Sequence, residues 1–286
     1  MASVPFLMPA LVTPFDEVGE IDFEAHRRNV KKLWKAGIRG FLIAGSTGEG
    51  PYLEPGERAA LIEVARDQLG KKAHLICGVA AETVRQAQAM IQEATAGADS
   101  VLVITPTTLT RNRPQYVEAY YRELADTSPL PVLLYSVPSV TAFELPEDQV
   151  SRLSDHPNIV GMKDSGGHPV RLQRIIASVP PKFRLFTGST QAVTLALAAG
   201  AYGAITASTN YVPKKVLETV NIARTDPIKA RPLQAEISRI AAAVELHGVP
   251  GVKFAAKRAG MSPGFARKPL SDLGEAEQEE LRPLFD

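Results

Sequence analysis

Three segments of this 286-residue chain carry side chains that could do chemistry next to one another. The first is Ile159-Val-Gly-Met-Lys-Asp-Ser165, where an apolar run ends in Lys163 just before a glycine turn. The second, "YSVPSVT" (135–141), opens on Tyr135, and the third is "GSTGE" (45–49). A free lysine amine has a pKa near 10.4 and is mostly protonated at neutral pH. Taking an ammonium out of water disfavours the charged form, so an enclosed amine can keep its lone pair and attack a ketone. The iminium that follows draws electrons from the neighbouring carbon–carbon bond and lets it break. Arginine would stay charged and could not substitute. A tyrosine within reach can move the hydroxyl proton that such a step releases. The plain alternative is a charged strand end paired with Asp164, next to a partly buried aromatic.

Each segment closes one of eight short apolar runs. These are "FLMPALVTP" (6–14), "GFLIAGST" (40–47), "HLICGVA" (74–80) and "SVLVITP" (100–106), then "PVLLYSVP" (131–138), "IVGMKDS" (159–165), "RLFTGS" (184–189) and "YGAITAS" (202–208). Their starts are 34, 34, 26, 31, 28, 25 and 18 residues apart. All but the last interval fit a strand, a helix and two connections. Amphipathic stretches lie between them. "FEAHRRNVKKLWKAG" sets Phe23, Val30, Leu33 and Trp34 near one stripe, and "EPGERAALIEVARDQLG" starts at Glu54-Pro55 and stops at Gly70. Runs that are apolar throughout belong in strands covered on both faces. Eight alternating units therefore predict an α/β fold, a (β/α)8 barrel over residues 1–211. An open doubly wound sheet would want a G-x-G-x-x-G turn after its first strand, and none is present. Residues 212–286 read as appended helices packed on the barrel without an independent linker.

Barrels of this kind carry their reactive groups at the carboxyl ends of the strands. Side chains alternate along a strand, so Ile159, Gly161 and Lys163 are expected on one face, with Gly161 leaving room beneath the lysine. Leu133 and Tyr135 share a face by the same rule, which would bring phenol and amine together.

In order and together, "PALVTPF", "GSTGE", "YSVPSVT", "NIVGMKDSGG" (158–167) and "GAYGAITASTNYVP" (200–213) make the chain resemble the dihydrodipicolinate synthase/N-acetylneuraminate lyase family of class I pyruvate-dependent aldolases, over nearly its whole length. The resemblance implies a Schiff-base lysine at Lys163 and a proton-transfer tyrosine at Tyr135. It also implies a pyruvate-carboxylate site at Ser46 and Thr47, and backbone near pyruvate at Ile205. No cofactor is implied beyond the covalent lysine imine. The partners implied are a small 2-oxo acid and copies of the chain, a homotetramer.

Within the family, "LLYSVPSVT" with "HPNIVGMKDSGG" is most similar to 4-hydroxy-2-oxoglutarate aldolase, which yields pyruvate and glyoxylate. Dihydrodipicolinate synthases usually carry an arginine where this chain has Val140, and that arginine contacts the second substrate's carboxylate. A second departure is "TPTTLTRNRP" (105–114), with Thr107 or Thr108 where many relatives place a relay tyrosine. Two substitutes stay open: a relay through Ser46, Thr47 and water, or a weaker relay. The alternatives are dihydrodipicolinate synthase itself, another sugar-acid aldolase or dehydratase, and a non-catalytic pyruvate-binding regulator.

Lesser candidates are weighed the same way. Glu49 reads as a carboxylate that fixes loop N–H groups. Ser165 reads either as a contact to the distal substrate or as a helix cap. Arg111 and Arg113 could offer a cation but read as solvated. Lys253 and Lys257 read as structural or surface groups, and "FTGST" (186–190) as a weak phosphate loop. His26, His74, His156, His168 and His247 are scattered without a metal-binding pattern, which disfavours a metal aldolase. A formal net charge of +1, with 22% charged residues, gives no bias toward nucleic acid or membrane. The single Cys77 excludes an intrachain disulfide framework. The amino terminus lacks a secretory pattern, and a cytoplasmic protein is expected.

Overall fold

The structure, a computed structural model, describes residues 4–110 and 113–286. Eight strands appear where the apolar runs place them: β1 (Leu7–Pro9), β2 (Gly40–Ile43), β3 (His74–Val79), β4 (Ser100–Ile104), β5 (Val132–Ser136), β6 (Ile159–Asp164), β7 (Arg184–Thr187) and β8 (Gly203–Thr206). All pair in parallel in the order β1-β8-β7-β6-β5-β4-β3-β2. The Leu11 amide donates to Leu42 O at 2.9 Å, and a parallel bridge joins Ala10 to Leu42, so β1 meets β2 and the cylinder closes. With helices around it, this is the expected (β/α)8 barrel.

The apolar runs are continuous because the barrel buries both faces of each strand. Met8, Leu42, Ile76, Leu102, Leu133 and Ile205 fill the interior. Their neighbours Leu7, Phe41, Leu75, Val101, Leu134 and Ala204 pack outward against the helices. The alternation breaks once. Val132 pairs with Ile159 but Leu133 with Gly161, a bulge that gives β6 one extra residue. Ile159 therefore packs with the outer layer, and Val160 joins the inner one. The expectation that Ile159 shares the face of Lys163 is corrected. Gly161 and Lys163 lie beyond the bulge and stay aligned with Leu133 and Tyr135.

Two helix readings also change. The helix Phe23–Lys35, capped by Asp22, buries Ala25, His26, Asn29, Val30 and Leu33, whereas Phe23 is exposed. The helix Glu57–Leu69 starts after Gly56, which has φ 90°, rather than at Glu54-Pro55. Glu57 turns back to accept from the Glu54 amide at 2.7 Å.

After β8, helices Pro213–Ala223, Arg231–Leu246, Gly248–Arg258 and Glu275–Leu281 follow. Ile240, Val244, Val252 and Leu281 bury Val12 and Tyr211 at one end of the barrel. No helix among the described residues is long and apolar enough to cross a membrane.

Gly161 has a different part from the one its spacing suggests. A Cβ there would stand 2.4 Å from the Arg184 carbonyl oxygen, so the missing side chain admits the β7 backbone. Gly161→Ala should push β6 from β7 and cost about 1–3 kcal/mol. Urea unfolding checks this, and a midpoint within error of the parent would contradict it.

Candidate active site

Tyr135 and Lys163 are register partners across β5 and β6, and Phe186 is the partner of Lys163 on β7. The pairing sets the phenol and amine side by side in one inward-facing layer. Lys163 Nζ lies 3.5 Å from Tyr135 Oη and 4.6 Å from the ring centroid. The contact is at the long limit of a hydrogen bond, as is common before substrate draws such groups together. Lys163 is 5% exposed and Tyr135 6%. Room for the lysine comes from Gly188 after β7, where a Cβ would stand 2.7 Å from Lys163 Cε and 2.0 Å from Ser165 Oγ.

The plain reading of Lys163 as a partner of Asp164 is excluded. Asp164 is fully buried, and its carboxylate takes Arg171 Nε at 2.9 Å and the Gly166 amide at 2.9 Å. Arg171 also donates to Leu145 O at 2.6 Å. The ion pair ties the glycine turn to the next helix and leaves the lysine amine on the other side of the strand. Ser165 does not cap that helix: its cap position is His168, and Ser165 packs against Gly188 instead.

The loop after β2 is folded tightly. Ala44 and Glu49 are non-glycine residues in the left-handed region, with φ 57° and 56°. Such residues are strained and persist only where surrounding contacts hold them. Fully buried Arg58 supplies such contacts, donating to Gly50 O and to Gly78 O, each at 3.1 Å. Glu49 is buried against Lys253 Nζ at 2.6 Å and accepts from the Arg267 amide at 2.8 Å. It thus fixes an N–H group as expected, but one from the carboxyl-terminal region. Burial pulls the Lys253 ammonium below the usual lysine range, against the pull of Glu49. With Lys253 committed to Glu49 and Phe265 O, and Lys257 exposed, neither reaches the Lys163 layer.

This clamped loop presents Ser46 and Thr47, both half-buried, at the barrel mouth. Among the described residues neither amide N–H has an acceptor and neither hydroxyl has a partner. Adjacent free N–H groups of this kind suit an anion. Ser46 and Ile104 line the same small cleft as Tyr135.

The other expected positions divide among strand, loop and helix start. Ile205 sits within β8, opposite Met8 and fully buried. Thr107 and Thr108 give their amides to the Glu82 carboxylate, at 3.1 and 2.9 Å to the same oxygen. Arg113 is exposed at a helix start, and Arg111 lies outside the described residues. In "FTGST", Thr190 Oγ1 is bound to Ser208 Oγ at 2.8 Å and to Glu245, so the segment holds itself rather than a phosphate. Glu245 was not foreseen. Burial raises its carboxyl above the usual range, opposed by hydrogen bonds from Tyr211 and Thr190 and then by the charge of Lys163. No group of three or more metal-ligating His, Cys, Asp or Glu side chains occurs among the described residues.

Arg58 and Gly188 were also missed. Arg58 carried a signal, because it shares a helical stripe with Leu61, Ile62 and Ala65, all buried. Gly188 carried none beyond its place after β7. Its substitution is informative: Gly188→Ala should displace the Lys163 stem and cut kcat about 100-fold or more while the fold persists. Steady-state kinetics with circular dichroism checks this, and parental kcat in a folded variant would contradict it.

The comparisons with known proteins agree with the barrel fold. The model of the dihydrodipicolinate synthetase family matches residues 5–285. A curated 4-hydroxy-tetrahydrodipicolinate synthase from Methanothrix thermoacetophila is 32% identical over 285 residues, 98% of this chain and 95% of the relative. The crystal structure of a dihydrodipicolinate synthase from Bacillus anthracis superposes with a TM-score of 0.94 at 28% identity, covering 100% of this chain and 98% of that one. YagE, an E. coli K12 prophage protein of the same family solved in complex with pyruvate, superposes with a TM-score of 0.92 at 28% identity, over 99% and 98% of the two chains. The chain belongs to the dihydrodipicolinate synthetase family, whose members are class I pyruvate-dependent carbon–carbon lyases working through a covalent lysine imine, without a metal or other cofactor.

Proposed function

We propose that Lys163 is the imine-forming lysine of this chain and that it joins pyruvate to an aldehyde, or releases the two from the product. The carrying observation is the in-register placement of Lys163 and Tyr135, enclosed at one strand end, with Nζ 3.5 Å from Oη. The amine attacks the keto carbon of pyruvate and passes one proton to the keto oxygen, and with a second proton taken from solvent that oxygen leaves as water to give the iminium. Loss of a proton from the methyl carbon makes an enamine, whose electron pair bonds the aldehyde carbon. The aldehyde oxygen takes its proton from Tyr135, and water then hydrolyses the imine and frees the lysine. Cleavage runs the same steps backward. The free amides and hydroxyls of Ser46 and Thr47 hold the pyruvyl carboxylate, Ile205 contributes β8 backbone beneath it, and Ser165 faces the distal substrate.

The name shared by the curated relatives supports 4-hydroxy-tetrahydrodipicolinate synthesis from pyruvate and aspartate semialdehyde as the first reading. A second reading, cleavage of 4-hydroxy-2-oxoglutarate to pyruvate and glyoxylate, is favoured by one observation. Val140, at the position where the synthases usually carry an arginine, is 65% exposed and offers no donor to a second carboxylate. The family resemblance supports a cytoplasmic homotetramer. Residues 212–286 are proposed to fold only with the barrel, supported by the Glu49–Lys253 pair and the burial of Val12 between these helices.

Parallel initial-rate assays separate the readings. The first expects condensation of pyruvate with aspartate semialdehyde to exceed cleavage of 4-hydroxy-2-oxoglutarate in kcat/KM. The reverse order would install the second. No turnover of any 2-oxo acid would leave only pyruvate binding and defeat both.

A further inference from the structure

A second cavity lies at the opposite end of the barrel from Lys163. It holds about 350 Å3, among the first residues of β3, β4, β6 and β7. That is the size of a small ligand pocket. Its apolar wall is Ile76, Leu133 and Phe186, with Val160 turned inward by the β6 bulge and Val4 at the edge. Strand register also aims polar groups into it. Ser100 is the partner of inward-facing Ile76, and Arg184 is the partner of Gly161.

These two groups are unusual. Ser100 is 3% exposed, and its Oγ is buried with no hydrogen-bond partner among the described residues. Arg184 is half-buried, with its guanidinium 5.3 Å from the Tyr202 ring centroid, and among the described residues it meets neither a carboxylate nor a hydrogen-bond acceptor. The other charges nearby cancel. Asp99 pairs with Arg66 at 2.8 Å, and the same carboxylate oxygen accepts the Leu75 amide at 2.8 Å. Arg66 spends its remaining donors on the carbonyls of Gly97, Gly70 and Ala73. Burial holds the His74 imidazole below its usual range, opposed by Asp99, so it adds no charge near neutral pH. What remains is one uncompensated cation and one unpaired hydroxyl facing an apolar wall. Unpaired buried polar groups are costly and uncommon, and an anionic group with an apolar tail would satisfy both. A phosphate would want more donors than the cavity offers and would waste the wall.

We propose that this cavity binds a small aliphatic monocarboxylate, its carboxylate held by Arg184 and Ser100 and its alkyl end lying on Ile76, Leu133 and Phe186. The site is distinct from the pyruvyl site. It shares two strands with that site, because Leu133 precedes Tyr135 on β5 and Phe186 pairs with Lys163.

Titration calorimetry of the full chain with sodium hexanoate, and with 1-hexanol as the uncharged control, tests this. Hexanoate should bind saturably, and hexanol about tenfold more weakly or not at all. Arg184→Met should weaken hexanoate about tenfold or more, and Ser100→Ala several-fold. Ser100→Ala should leave the unliganded protein at least as stable as the parent, because it removes an unpaired hydroxyl, a pattern that a merely structural serine would not give. Lys163→Ala should bind hexanoate as the parent does. Absence of saturable heat, equal affinity in both cavity variants, or loss of binding in Lys163→Ala would each overturn the proposal.

Discussion

Hydrogen-bond register between β5, β6 and β7 is the constraint on which the site rests. It places Tyr135, Lys163 and Phe186 in one inward layer, so that phenol and amine meet without any loop having to bring them together. A slip of one residue would turn Lys163 out among the helices and put Met162 in its place. The bulge at Val160 is part of this constraint, since it absorbs the extra residue of β6 before the reactive end. Barrel closure through Leu11 and Leu42 then brings the loop after β2 to the same mouth.

The strained loop that carries Ser46 and Thr47 needs support of another kind. Its left-handed Ala44 and Glu49 are held by buried charges: Arg58 on two carbonyl oxygens, and Glu49 against Lys253. Buried ion pairs add little net stability, because desolvation offsets their attraction, yet breaking one leaves an expensive lone charge. Their effect here is to favour one loop geometry, with two amides at the mouth that have no acceptor among the described residues. Asp164 and Arg171 do the same for the turn after β6 and keep the carboxylate occupied away from Lys163. The carboxyl-terminal helices, far along the chain, therefore take part in shaping the site.

The barrel was legible in the sequence because double burial makes every strand an apolar run, and the runs recur at helix-plus-strand intervals. Lys163 and Tyr135 were legible because polar groups at the ends of such runs stand out. What alternation along a strand could not foresee was the bulge, which reverses the faces of Ile159 and Val160. Nor could spacing separate the duties of Gly161 and Gly188, since one admits the backbone of β7 and the other the lysine stem. The Glu49–Lys253 pair joins residues about 200 positions apart, and no local pattern encodes such a contact. Exposed Val140 is a different case, since packing imposes nothing on the residue type at such a position.

One measurement reaches the central claim directly: peptide mass spectrometry after incubation with pyruvate and borohydride. The reduced imine should appear on Lys163 as a pyruvate-derived addition, with Lys253 and Lys257 unmodified, and Lys163→Ala should be unlabelled and without turnover. Label on another lysine, or full turnover by folded Lys163→Ala, would contradict the account.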